Sequence, residues 1–154
     1  MKPRANALGL LFKGGSLLLE EQTGRHSRGA GVFYRPLGGT IESGESPSAA
    51  VVREFQEEIG ATVTVLRPSA IVENCYSIDG KKYHETTQLL VVAFTDELVY
   101  RHEWFPVTEG KKKTVAKWMP ITDLQKPETV LFPNSLLQVI EEEVQKGGFA
   151  EWKS

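Results

Sequence analysis

The stretch PLGGTIESGESPSAAVVREFQEEIGA, residues 36–61, holds five glutamates and a single arginine, and Glu54, Glu57 and Glu58 fall within five consecutive positions. Ser46-Pro47 reads as a helix start, a capping hydroxyl followed by proline, and Gly60 as a stop, so the spacing predicts a helix over 47–59. At about 100° per residue, Val51, Val52, Phe55 and Ile59 gather in one arc, and Glu54, Glu57 and Glu58 in a separate arc of similar width. Ala50 projects into the acidic arc, where a residue without bulk would let a ligand approach the helix. An acidic stripe beside an apolar one is most often only a solvated helix face. Here it carries a cost. Glu54 stands at i+3 and i+4 to Glu57 and Glu58, where like charges repel by about 0.2–0.5 kcal/mol, and two of the three acids sit in the last turn, which the helix dipole disfavours. A divalent cation would relieve both.

Around this segment the chain alternates apolar-rich runs with turn signals. Residues 7–12 and 16–20, separated by Lys13-Gly14-Gly15, read as a hairpin; residues 23–31, TGRHSRGAG, read as a loop. After Gly60, two β-branched and aromatic runs flank Asp79-Gly80, a favoured two-residue turn, and predict a longer hairpin. A strand is expected over 114–119 and a second helix from Leu136, after Asn134-Ser135, with apolar residues at helical spacing and glycines at its stop. Strands in the majority with two helices imply an α/β chain of the α+β type, a mixed sheet covered on its faces by helices.

Composition narrows the function. With 154 residues, 40% hydrophobic and 25% charged, the chain suits one globular domain over 1–154, and a formal charge of −2 offers no basic field for a nucleic-acid polymer. Cys75 is the only cysteine, which rules out an intramolecular disulfide and a cysteine zinc cluster. The N-terminal apolar run is too short for a membrane span and lacks a cleavage site, so the expected location is cytoplasmic, with no membrane partner.

Read from Gly39, the sequence runs glycine, five residues, Glu45, seven residues, then Arg53-Glu54-Phe55-Gln56-Glu57-Glu58-Ile59-Gly60-Ala61. This resembles the Nudix box, with all seven fixed letters matched. Phe55 and Ala61 replace two aliphatic places, and Leu37 separates Pro36 from the paired glycines. The order of elements and the Trp118-Met119-Pro120 strand also resemble the Nudix (MutT-like) hydrolases. The resemblance implies an α/β/α sandwich with a catalytic loop-helix-loop, and a magnesium- or manganese-dependent hydrolase that cleaves a pyrophosphate bond in a nucleoside diphosphate linked to another group. Candidate substrates are a nucleoside triphosphate, ADP-ribose or a nucleotide sugar. Clustered carboxylates suit such hard cations on physical grounds too.

Carried onto the matching positions, the resemblance makes Glu54, Glu57 and Glu58 metal ligands, with the Gly39 carbonyl, and places Glu45 in the outer shell. Arg53 lies at i−4 from Glu57 and is suited to orient it. Glu54 is the first choice as general base; Glu109 stands where the family often supplies a distant acid, with Glu103 as its competitor. Arg25, Arg28 and Arg35 are candidate phosphate contacts by their forked guanidinium geometry. Tyr34 and Phe33 are candidate base-stacking residues, although an aromatic in a strand is more often core. His26, His84 and His102 show no ligand spacing, and Lys111-Lys112-Lys113 reads as a solvated turn. Many such folds form homodimers, but no residue here argues for one. Two alternatives stand beside the enzyme: a nucleotide-sensing module on the same fold, and an acidic helix with no site.

Overall fold

The computed structural model describes residues 4–147. Its strands are β1 (Arg4–Lys13), β2 (Ser16–His26), β3 (Gly29–Arg35), β4 (Gly38–Thr40), β5 (Val63–Ile78), β6 (Lys81–Phe94), β7 (Trp104–Glu109) and β8 (Lys112–Pro120). The helices are α1 (Pro47–Ile59), the short α2 (Ile121–Leu124) and α3 (Leu136–Gln145), with a 3₁₀ turn over Glu97–Arg101. The strands join in the order β5-β6-β1-β2-β8-β7, with β4 attached to β1 and β3 to β2. Among the described strands β1 and β6 pair in parallel and the others antiparallel, so the sheet is mixed.

Alternation along the central strands builds two cores. On β1, Ala7 and Leu11 point to one face while Leu8, Leu10 and Phe12 point to the other; on β6, Leu90 and Val92 share the first face, and Leu89 and Val91 the second. The first face is covered by α1 through Val51 and Phe55, the second by α3 through Leu136, Val139 and Ile140. Burying Phe55 contributes about 1.5–3 kcal/mol relative to leaving it exposed. Gly9 makes room for it, since a Cβ there would lie 2.6 Å from the Phe55 ring.

The local signals around α1 act as expected. Ser46 Oγ accepts the Ala49 amide hydrogen at 3.1 Å, Pro47 opens the helix, and Gly60, at φ 69°, closes it. Ala50 departs from expectation: it is fully buried in the first core rather than open beside the glutamates. The Asp79-Gly80 turn has positive φ at both residues, 51° and 80°, as a tight hairpin between right-twisted strands requires.

Other segments depart further. Residues 23–31 are not a loop: β2 and β3 pair from Glu20↔Arg35 to His26↔Gly29, so the glycine-rich stretch is the tip of a second hairpin, turning at Ser27-Arg28. Residues 7–12 and 16–20 meet only at their turn, at Phe12↔Leu17 and Lys13↔Ser16. Beyond it β1 turns to β4 and β6 while β2 turns to β3 and β8, and the two halves of the sheet separate. Trp118 Nε1 donates to the His102 carbonyl at 2.8 Å and its ring stacks on Tyr100, closing the first core. Gly9→Ala is expected to lower unfolding free energy by about 1–3 kcal/mol in urea titrations. The loss should shrink in a Phe55→Leu background, and equal losses in both backgrounds would exclude the Phe55 contact as its cause.

Candidate active site

Strand and helix periodicity bring four carboxylates from three elements to one point. On β7, Phe105 and Val107 point into the core beneath α1, so Glu109, two residues on, points the same way. On β2, Leu18 faces the same core, which puts Glu20 on that face with no exposed surface. From α1, Glu58 is buried and Glu54 half-buried. Ligand oxygens of Glu20, Glu58 and Glu109 lie within 4.8 Å of one another. Glu54, Glu57, Glu58, Thr108, Glu109 and Gly110 line a pocket of about 450 Å³ over this cluster.

The hydrogen bonds show how little protein compensates these acids. Glu58 Oε1 accepts the Gly38 amide hydrogen at 3.1 Å. Glu20 Oε2 accepts the Thr114 hydroxyl hydrogen, but its Oε1 is buried and receives no N–H, the group that shares a hydrogen bond with this carboxyl being the acid Glu109. Gln22 donates weakly to Glu109 at 3.4 Å and is itself fixed by Lys112 at 2.8 Å. Burial, then the charge of Glu109, pushes the Glu58 carboxyl up to about 9, against the pull of Arg35. Glu109 rises to about 7, from burial first and then from the Glu20 carboxyl facing it. Glu54 also rises through burial. A buried carboxylate oxygen without an N–H donor and acids held partly protonated for want of positive charge are the features a hard divalent cation satisfies. The residues present therefore fit a magnesium- or manganese-type ion.

Arg53 fixes the loop to the helix. Its Nε and Nη2 donate to both oxygens of Glu45 at 2.8 and 3.0 Å, Nη2 also donates to the Thr40 carbonyl at 3.0 Å, and Nη1 reaches Glu57 at 3.3 Å. The Arg53 hydrogen bonds hold the Glu45 carboxyl at about 2, so Glu45 is the guanidinium's main partner, with Glu57 a lesser one. Glu45 Oε1 also accepts the Glu42 amide hydrogen, leaving it a tether across the loop. Gly39 packs against Glu54, where a Cβ would lie 2.1 Å from Oε2.

A second cavity, of about 800 Å³, opens where the half-sheets separate, and Glu54 and Glu109 line both cavities. Arg25, Arg35 and Phe33 line it, as does Gly39. Arg25 pairs with Asp79 at 2.9 Å, and Arg35 Nη2 donates to the Gly38 carbonyl at 3.2 Å. Arg28 lies outside, its guanidinium donating to the Pro127 carbonyl. Tyr34 packs toward the α3 core under Lys117, so the aromatic that this strand presents to the cavity is Phe33. Glu103 is exposed and lines neither cavity. His26 lines the large cavity, while His84 pairs with Glu73 at 3.4 Å and His102 packs on Phe105.

Sequence reasoning passed over Glu20, Gln22 and Arg4, the last a third guanidinium on the cavity wall. Glu20 had a signal: in SLLLEEQ it takes the place where strand alternation from Leu18 demands an inward residue. With folded values raised above the unfolded ones, Glu58 and Glu109 bind protons more tightly in the native state across pH 5–9, so their contribution to stability is lost as pH rises through that range. In chelator, the melting temperature is expected to fall from pH 5 to 9, and Glu58→Gln to remove most of that slope. A slope that Glu58→Gln leaves intact would remove Glu58 as its source.

The comparisons with known proteins agree with this geometry. A NUDIX domain model matches residues 2–139. The fold is similar to a MutT NUDIX hydrolase from Burkholderia pseudomallei, 20% identical over 91% of this chain and 98% of that one, with a TM-score of 0.67. A NUDIX hydrolase from Nitrosomonas europaea is 21% identical, covering 94% and 90%, TM-score 0.67. An ADP-ribose pyrophosphatase from Streptococcus suis is 17% identical, covering 94% and 93%, TM-score 0.61. At these identities the structures establish shared fold. Comparison with curated proteins gave no match. Because the family model spans most of the chain and the box residues converge at one pocket, the chain belongs to the Nudix hydrolase family.

Proposed function

We propose that the chain acts as one hydrolase domain, cleaving the pyrophosphate bond of a nucleoside diphosphate linked to a further group, with magnesium or manganese. The observation that carries this reading is the pair Glu54 and Glu109, shared between the acidic pocket and a cavity walled by Arg4, Arg25 and Arg35. A polyanion entering that cavity meets guanidinium groups on its way to the carboxylates.

Glu54, Glu57 and Glu58, with the Gly39 carbonyl, would hold the cation, and Glu20 and Glu109 would complete the negative field beneath it. When bound, the cation neutralises the acids, polarises the phosphoryl oxygens and acidifies a water. The protein's own groups do the rest. Arg35, whose charge acts on Glu54, Glu58 and Glu109, holds phosphate oxygens at the junction of the two cavities. Arg53 and Glu45 keep the loop closed on α1, so Gly39 and the Glu54 carboxylate remain side by side. Glu54, half-buried and facing both cavities, accepts the proton of the attacking water; Glu109 is the second candidate for that role.

The test is phosphate release from nucleoside triphosphates, ADP-ribose, nucleotide sugars and dinucleoside polyphosphates, with each metal. One class should be cleaved by the parent and not by Glu57→Gln. Glu54→Gln is expected to lower kcat by about 10²–10⁴-fold, and Glu109→Gln by less; the reverse order would move the proton acceptor to Glu109. Binding of nucleotide and metal without any cleavage would favour a sensing module instead. Magnesium at constant ionic strength should raise the melting temperature of the parent, and no rise would return α1 to an ordinary acidic helix.

A further inference from the structure

The large cavity contains a buried acid that hydrolysis does not use. Glu85, on β6, is 5% exposed and lines the cavity with Asn6 of β1 and Tyr76 of β5. Asn6 Nδ2 donates to Glu85 Oε2 at 2.6 Å, and the Tyr76 hydroxyl donates to Oε1. Among the described residues no lysine, arginine or histidine forms an ion pair with it. A carboxylate accepts about four hydrogen bonds, and the protein supplies two. Holding strands together would be done as well by an amide, without the cost of burying a carboxylate among neutral donors.

Aromatic rings stand close by, and Arg4, the register partner of Glu85 on β1, lines the same cavity. Tyr76 stacks on Tyr83 at 5.3 Å and meets the Phe132 ring edge-on at 6.3 Å; Phe132 and Phe33 both line the cavity. The acceptor group therefore sits in a slot with aromatic walls, which suits a planar heterocycle. The same cavity continues to Gly39, Glu54 and Glu109, so one ligand can touch Glu85 and present phosphates to the acids.

We propose that Glu85, oriented by Asn6 and Tyr76, is a specificity-determining residue that selects a nucleobase with a ring N–H beside an exocyclic NH2, the guanine-type edge. This rests on the reading of the cavity as the nucleotide site. Two adjacent donors match the two free acceptor positions, and the second Asn6 N–H is left for a base carbonyl. Adenine and cytosine set a ring-nitrogen lone pair beside their amino group, and uracil flanks its N–H with two carbonyl oxygens; each directs a lone pair at the carboxylate. A site built to receive donors rejects bases lacking them more strongly than an apolar slot does.

The experiment compares guanosine and adenosine α,β-methylene triphosphates by calorimetry with magnesium, and kcat and KM for the four nucleoside triphosphates, in the parent, Glu85→Gln and Tyr76→Phe. The parent should favour guanosine by about tenfold to a hundredfold, in Kd and KM. Glu85→Gln, which offers one donor and one acceptor, should erase that preference or shift it toward adenosine, with kcat within about threefold of the parent for its best substrate. Tyr76→Phe should reduce the preference, and carries the test if Glu85→Gln fails to fold by circular dichroism. Equal affinity for guanosine and adenosine in the parent overturns the proposal, as does a preference that survives both substitutions. Cleavage without base preference would sink this proposal and leave the hydrolase reading standing, whereas guanosine-selective binding without cleavage would do the opposite.

Discussion

Carboxylates repel one another, and this chain holds Glu20, Glu58 and Glu109 within 4.8 Å in a partly buried pocket. No single element could impose that. Glu20 comes from a strand hydrogen-bonded to β8 and β3, Glu109 from the end of β7, and Glu58 from a helix pinned to the sheet by Phe55. The apolar packing between α1 and the sheet overcomes the repulsion, and part of it is relieved by keeping protons on Glu58 and Glu109. The fold thus stores an unmet demand for positive charge at one place.

Arg53 supplies some of it, but at the rim. Its guanidinium is committed to Glu45 and the Thr40 carbonyl, which ties the loop before α1 to the helix itself. Spending the one box arginine on the loop leaves the inner acids unneutralised. That division explains how a segment with five glutamates and one arginine holds together as a loop and helix while its inner acids keep no cationic partner of their own on the box.

The helix, its caps and the long β5–β6 hairpin were legible because their determinants are local: Ser46, Pro47, Gly60 and Asp79-Gly80 act on neighbours in the chain. The box glutamates were legible through their spacing. What was not legible depends on register between distant strands. TGRHSRGAG reads as a loop by its glycines, but the pairing of its two ends makes it the tip of the β2–β3 hairpin. Tyr34 and Phe33 are equivalent in composition, and only the pairing of β3 with β2 decides which one faces the cavity. Ala50 falls within the acidic arc on the helix wheel, and a wheel does not say how deeply α1 sinks into the sheet. Glu20 was hidden by its neighbour Glu21, since a pair of acids at the end of an apolar run looks like a strand reaching solvent.

The separation of β1 from β2 after two residue pairs has a consequence for how such a protein can change over time. The acids belong to α1, β2 and β7, while Glu85 and its donors Tyr76 and Asn6 belong to the β5–β6 hairpin and β1. The two regions share a cavity but hardly any hydrogen bonds. The hairpin closes on itself through a tight turn and a continuous ladder from Asn74↔Glu85 to Ile78↔Lys81, so it can be rewritten as a unit. On the function proposed above, what is held and what is done to it are encoded in separable parts of one chain.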